Sequence, residues 1–287
     1  MNIIVLNGSP KGETSVTMQY VRYLEQAFPQ HAFTQLHIAR RGRALERDHE
    51  AFAAVIEQIR QADVVLWAFP LYYMLVHGNY RRFIELIWER DVTSAFKHKY
   101  TASLSTSIHF YDHTAHAYIQ AISDDLGMHY TGAYSAEMRD LFEADKRDAL
   151  VAFATRLLDA TERRTQTAPR FAPLHPRSFD YIPGEAPSKV ATRGKKIIIL
   201  TDAEPNQANL NHMVARIQRT FGDGVEIINL HDVGIKGGCL GCLHCGYDNE
   251  CAYEGKDEYI DMHRQRLQTA DILILAGAIR DRYLSAT

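Results

Sequence analysis

The chain has 287 residues, 46% of them apolar and 23% charged, which is enough for one or two folded domains and excludes a disordered or fibrous polypeptide. Its formal net charge of -3, from 32 basic and 35 acidic residues, provides no bulk field for nucleic acid or an anionic membrane, and no apolar run approaches the ~18 residues of a membrane span. The first residues read as a strand rather than a secretory leader, and all four cysteines crowd into residues 239–251, so a disulfide scaffold is not expected and a cytoplasmic location is.

In chain order, short apolar runs alternate with helical patterns. "NIIVLN" reads as a strand, "SVTMQYVRYLEQAF" as a helix, "FTQLHI" as a strand and "HEAFAAVIEQIRQ" as a helix. "ADVVLWAFP", "NYRRFIELIWE", "KYTASLS", "AHAYIQAISDDLG", "HYTGAYS" and "KRDALVAFATRLLDATERR" continue the alternation. Several of the strands are apolar throughout, as expected where helices cover both faces of a parallel sheet. Five strands and five helices are expected over residues 1–165, a doubly wound α/β domain with a five-stranded parallel sheet.

Residues 166–194 follow, within "TQTAPRFAPLHPRSFDYIPGEAPSKVATRG", with five of the nine prolines; they read as an extended linker. The pattern then restarts over residues 195–287. "KKIIILTDAEPNQANLNHMVARIQRTF" echoes the opening strand, loop and helix, "GVEIINLHD" supplies a second strand, and "QTADILILAGAIRDRYLSAT" echoes "RQADVVLWAFPLYYMLVHGN". Aligning Ala270 with Ala62 sets Thr287 opposite Asn79, so the second unit has no counterparts to the last two strands of the first. An apolar face is then left to be covered, by the first domain or another subunit, unless the sequence is a piece of a longer chain.

The turn after the first strand, "NGSPKGETSVT", gathers Ser9, Lys11, Ser15 and Thr17 where a helix begins. Free backbone N–H groups, hydroxyls and one ammonium at a helix N-terminus suit a phosphate; the same residues also suit a capping turn without a ligand. The loop "FPLYY" favours the first reading, because it too falls at the carboxyl end of a strand, where open α/β sheets bind ligands.

"NGSPKGETSVT" and, about 60 residues later, "ADVVLWAFPLYYMLVHGNYRRFIEL" resemble the flavodoxin-like NAD(P)H-dependent FMN reductases. The resemblance implies that Ser9, Lys11, Ser15 and Thr17 surround the FMN phosphate, that Pro70, Leu71, Tyr72 and Tyr73 line the isoalloxazine ring, and that Gly78 opens the next helix. Val16 stands where many relatives carry Asn. Ser105, Thr106 and His109, after the fourth strand, would border the ring or ribityl chain. His109, His113 and His116 are read as pocket or surface residues rather than metal ligands. In the second unit Asp202 and Glu204 stand where a phosphate would sit and Ala278 replaces the loop proline, so one flavin per chain is expected.

Cys239, Cys242, Cys245 and Cys251 are spaced C-x2-C-x2-C-x5-C, which suits a cubane cluster better than zinc. The motif resembles that of the iron-sulfur flavoproteins, implying a [4Fe-4S] cluster; related flavin reductases carry a similar loop without one, and zinc, empty thiols or disulfides stay open. The resulting expectation is a homo-oligomeric, FMN-dependent enzyme that takes electrons from NAD(P)H and passes them to a quinone, a nitro compound, free flavin or a cluster. A non-catalytic flavodoxin-type carrier is the alternative, and a flavin-free binding module a third.

Overall fold

The computed structural model describes residues 1–175, 178–185 and 188–286. The expected linker therefore lies partly outside the described residues, as does Thr287. Two compact units are present: one formed by residues 1–174 with 238–241 and 286, the other by residues 175–237 and 242–285.

The first unit holds β1 (Asn2–Asn7), α1 (Val16–Ala27), β2 (Ala32–His37), α2 (Ile38–Arg47), α3 (His49–Gln61), β3 (Val64–Pro70), α4 (Gly78–Glu89), β4 (Tyr100–Thr106), α5 (Asp112–Asp125), β5 (His129–Ala136) and α6 (Ala144–Glu162). All strand pairings are parallel, in the order β2-β1-β3-β4-β5. The uniformly apolar strands resolve onto two covered faces. Ile4, Leu6, Val65, Trp67 and Phe69 pack against α2 to α5. Ile3, Val5, Val64, Leu66, Ala68, Ala102 and Leu104 pack against α1 and α6. Side chains alternate between faces along each strand, so a strand with no polar position needs apolar cover on both sides.

The five expected strands are present, but the helices number six, because α2 fills the segment after β2 that carried no expected helix. Its sequence, IARRGRALER, has four arginines among ten residues, which masks a narrow buried stripe of Ile38, Ala39, Gly42 and Leu45 at helical spacing. Gly42 lets α2 approach α4 closely: a Cβ there would lie 2.5 Å from Asn79 Cβ. The Asn79 amide donates to the Ala39 carbonyl at 2.8 Å across the same contact.

The second unit has a three-stranded parallel sheet, β7-β6-β8, from β6 (Ile197–Thr201), β7 (Val225–Asn229) and β8 (Ile272–Ala276). It repeats the β2-β1-β3 part of the first sheet. Helices α7 (Ala208–Phe221) and α8 (Glu258–Met262) belong to it, and a short hairpin joins β9 (Ile279–Arg280) to β10 (Tyr283–Leu284). Ile198, Ile228 and Met262 form its small core. On β8, Ile272, Leu273 and Leu275 are exposed, whereas Val64, Leu66 and Trp67 of the matching β3 are buried.

Candidate functional site

The first unit's chain leaves β1 for β2 on one side of the sheet and for β3 on the other, so the loops after β1 and β3 diverge at a topological switch point. The loop after β4 lies next to them. These three loops and the strand and helix ends that flank them carry all twelve residues expected at the flavin.

The first loop is held tightly. Gly8 N–H donates to the Ala68 carbonyl at 2.7 Å and Ser9 N–H to Asn7 Oδ1 at 2.9 Å. A Cβ on Gly8 would fall 2.8 Å from Phe69 Cβ, so only glycine permits this approach of the loop to β3. Ser9 Oγ accepts from Lys11 N–H at 3.2 Å, and Ser15 Oγ caps α1 by accepting from Met18 N–H at 3.3 Å. Thr17 Oγ1 and Thr106 Oγ1 are 2.6 Å apart, a buried hydroxyl pair joining α1 to the end of β4. Ser9, Ser15 and Thr17 are buried, Lys11 is exposed and Val16 lies between.

The hydroxyls therefore act as acceptors inside the loop, leaving donor protons over. Ser9 and Ser15 each spend a lone pair on a backbone N–H, and of the Thr17–Thr106 pair only one proton is used. The Val16 and Thr17 N–H groups at the start of α1 have no backbone acceptor among the described residues. Two N–H groups, three hydroxyl protons, the positive end of the α1 dipole and the Lys11 ammonium form a donor-rich site suited to a phosphate dianion.

The second loop is a two-residue turn. Tyr72 and Leu75 exchange both backbone hydrogen bonds, at 2.7 and 3.0 Å, and the central Tyr73 and Met74 have φ of 37° and 69°. Left-handed backbone at a tyrosine and a methionine costs about 1–2 kcal/mol each, and such strain concentrates at ligand sites. Its effect here is to hold Tyr73 86% exposed. Pro70 ends β3, Leu71 N–H donates to the Thr106 carbonyl at 3.0 Å, and the Tyr72 ring meets His77 edge-on at 4.8 Å.

His77 was not among the residues expected at the site. Its Nδ1 accepts from Asn79 N–H at 3.1 Å, capping α4 beside Gly78, so its proton resides on Nε2 and donates to the Cys239 carbonyl at 2.9 Å. Burial lowers its pKa, keeping the ring neutral. A histidine immediately before the helix-opening glycine was the available signal.

The third loop follows the buried Ser105 and Thr106. His109 and Tyr111 both have φ of 57°, and Ile108, Phe110 and Tyr111 are exposed. His109 Nδ1 lies 2.9 Å from Asp112 Oδ2. Burial alone would raise the Asp112 carboxyl, but hydrogen bonds from His109, the Ser135 hydroxyl and His113 N–H outweigh it and hold it at about 2. Tyr73, Ile108, Phe110 and Tyr111 give these loops an exposed apolar surface of the kind that flat ring systems use. The last three were legible only as members of the stretch "SIHFYDHTAH". Of the three histidines in it, His109 joins the loop, His113 is exposed and His116 is buried.

In the second unit, the place equivalent to the phosphate loop is occupied by carboxylates. Asp202 is buried, with Oδ1 accepting from Ala278 N–H at 2.7 Å and Oδ2 from the Ser285 hydroxyl. Glu204 pairs with Arg280, and Gln207 at the start of α7 makes no side-chain cap.

Cys239, Cys242 and Cys245 are exposed, Cys251 is half-buried, and all four are free thiols. Among the described residues no group of three or more His, Cys, Asp or Glu side chains is placed to hold one metal ion. The expected [4Fe-4S] site is therefore not supported by the described residues. No helix among the described residues is long and apolar enough to cross a membrane.

No curated protein matches the chain. Among solved structures the chain is similar to the Trp repressor binding protein from Bacillus subtilis, 19% identical over 54% of this chain and 97% of that one, with a TM-score of 0.41. It is similar to an NADH:FMN oxidoreductase in its apo form, 16% identical over 55% of this chain and 89% of that one, TM-score 0.45. It is also similar to the flavoenzyme NAD(P)H:(acceptor) oxidoreductase from Paracoccus denitrificans, 18% identical over 55% and 97%, TM-score 0.42. Residues 1–139, which carry all three loops, match the family model described as NADPH-dependent FMN reductase.

Proposed function

We propose that the first unit binds FMN and catalyses electron transfer from NAD(P)H to a small acceptor such as a quinone, a nitro compound or free flavin. The observation that carries this reading is the donor-rich loop at the start of α1, combined with the family match over the same residues. Lys11, Ser9, Ser15, Thr17 and the Val16 N–H would hold the phosphate. Pro70 to Tyr73, Ser105, Thr106 and His109 would border the ring, joined by His77, Phe110 and Tyr111.

Bound FMN supplies the hydride-accepting and electron-donating chemistry; the protein positions it and controls access. The exposed rings of Tyr73 and Tyr111 offer stacking surfaces for nicotinamide or acceptor, which suits successive visits by two flat substrates. His109, between Asp112 and Glu137, is placed to hold a proton near a reduced acceptor. The four cysteines support an onward iron-sulfur route only through their spacing, and no step is assigned to them. Homo-oligomeric assembly is part of the proposal through the family resemblance alone.

The test is an anaerobic visible spectrum of the purified chain with FMN, before and after NADPH, with iron and sulfide assayed on the same sample. Flavin bands that bleach and recover on adding a quinone, with turnover, support the proposal. Bleaching without turnover to any acceptor makes the chain a carrier, and absence of FMN binding removes the proposal. Iron and sulfide near four each per chain would reinstate a cluster.

A further inference from the structure

On the sheet face covered by α5, the first unit carries a polar cluster of which the flavin reading uses only Ser105. Ser103 and Ser105 of β4 are fully buried, and His116 of α5, 7% exposed, is set among them. His116 Nδ1 lies 2.6 Å from Ser103 Oγ, and its Nε2 lies 2.9 Å from Ser105 Oγ and 3.0 Å from Ser135 Oγ. The Tyr130 hydroxyl is 2.5 Å from Ser103 Oγ. The cluster lies along one wall of a cavity of about 570 Å³ lined by residues of α5, β5 and Arg170.

The backbone is shaped to make this wall. Between Thr101/Tyr130 and Ser103/Ala133 the β4–β5 register shifts, with Thr131 and Gly132 opposite Ala102 alone. Side chains alternate along a regular strand, so residues three apart such as Tyr130 and Ala133 would face opposite ways if β5 were not bulged. The bulge, with Gly132 at φ 146°, puts Tyr130, Ala133 and Ser135 on one face. The small Ala117, Gly132 and Ala133 leave the space that larger residues would fill.

The free valences of the wall define what fits. Asp112 lines the cavity, but its oxygens are taken by His109, His113 N–H and the Ser135 hydroxyl. His116 and Tyr130 are neutral: burial lowers the first to about 4 and raises the second to about 12. Arg170 stands at the rim, its backbone N–H anchored to Asp124 Oδ2 at 2.9 Å. Its exposed guanidinium stacks near the Phe171 ring and has no carboxylate partner among the described residues. The Gln120 amide, half-buried in the wall, makes no hydrogen bond among them. The Asp112 charge is taken up by its three donors, the other groups below the rim are neutral, and Arg170 is left as a cation without a carboxylate partner among the described residues, which favours an anion with a neutral polar tail.

We propose that this cavity is a second ligand site, separate from the flavin loops, taking a small organic monocarboxylate. Its carboxylate pairs with Arg170, and one neutral hydroxyl or carbonyl oxygen reaches Gln120 and Tyr130. The site stands whether or not the first unit binds FMN.

The experiment is calorimetric titration of the full chain with 4-hydroxybenzoate, with and without saturating FMN, and with 4-hydroxybenzyl alcohol as the carboxylate-free probe. The expected result is saturable binding, unchanged by FMN, about tenfold or more weaker for the alcohol and for Arg170→Gln. Ala133→Phe, which fills the cavity from an exposed position, abolishes it; Arg170→Gln, on the surface, keeps the test valid if that variant misfolds. No saturable binding, equal binding by Arg170→Gln, or competition by FMN would each overturn the proposal.

Discussion

At the scale of single residues, the hydroxyls of the first loop accept from their own backbone and keep their protons free, which is what the proposed phosphate site requires. Ser15 holds Met18 N–H and Ser9 holds Lys11 N–H, so both protons remain for a ligand. Replacing Thr17 by Val strands the buried Thr106 hydroxyl, which costs about 1–2 kcal/mol of stability, visible in denaturant unfolding, and weakens FMN binding in the same variant. Lys11→Gln, at an exposed position, leaves stability unchanged and weakens FMN about tenfold in a fluorescence titration. His116 gives a pH prediction. Its pKa falls from 6.5 unfolded to about 4 folded because burial disfavours the charged ring. The unfolded chain therefore takes up a proton first, and stability is lost as pH falls from about 6.5 to about 4, by roughly 3 kcal/mol. Replacing His116 by Gln flattens that part of a stability-against-pH curve; an unchanged curve would deny the histidine its part. The sequence showed where Ser15 caps α1, because capping depends on local position, but not the partner of Thr17, which comes from β4. It did not show His116 as a hub, because its partners come from two strands.

At the scale of elements, chain order exposed all five strands of the first unit and hid one of its helices. Strands buried on both faces announce themselves by composition, whereas α2 buries only Ile38, Ala39, Gly42 and Leu45 and fills its other positions largely with arginine. The contact it makes was beyond sequence reading, since Gly42 and Asn79 meet only in the fold. Gly42→Val drives a side chain into Asn79 and separates α2 from α4. A loss of about 2–3 kcal/mol is expected in thermal or denaturant unfolding. The place of the Tyr73–Met74 loop after β3 was legible, but its two positive φ angles were not, because neither residue type favours them. The bulge at Gly132 carried only a weak mark, a glycine inside a strand pattern.

For the whole molecule, the repeat was readable from the echo of strand, loop and helix, and the second unit accordingly has a three-stranded parallel sheet. The fate of the second loop follows from two carboxylates: Asp202 spends its oxygens on Ala278 N–H and Ser285, and Glu204 on Arg280. Asp202→Ala orphans those donors and destabilises the second unit by about 1–3 kcal/mol, while FMN stoichiometry stays at one per chain. The cysteine motif was the clearest local signal, but C-x2-C-x2-C spacing permits a cluster without requiring one, and the described residues do not support it.

The most direct test of the account is an equilibrium titration of flavin-free full-length chain with FMN and, in parallel, with riboflavin, followed by flavin fluorescence. The loop at the start of α1 predicts one FMN per chain and riboflavin at least about tenfold weaker, since only FMN brings the phosphate that the loop's donors await. Equal affinity for the two, two equivalents of FMN, or no saturable binding would contradict it.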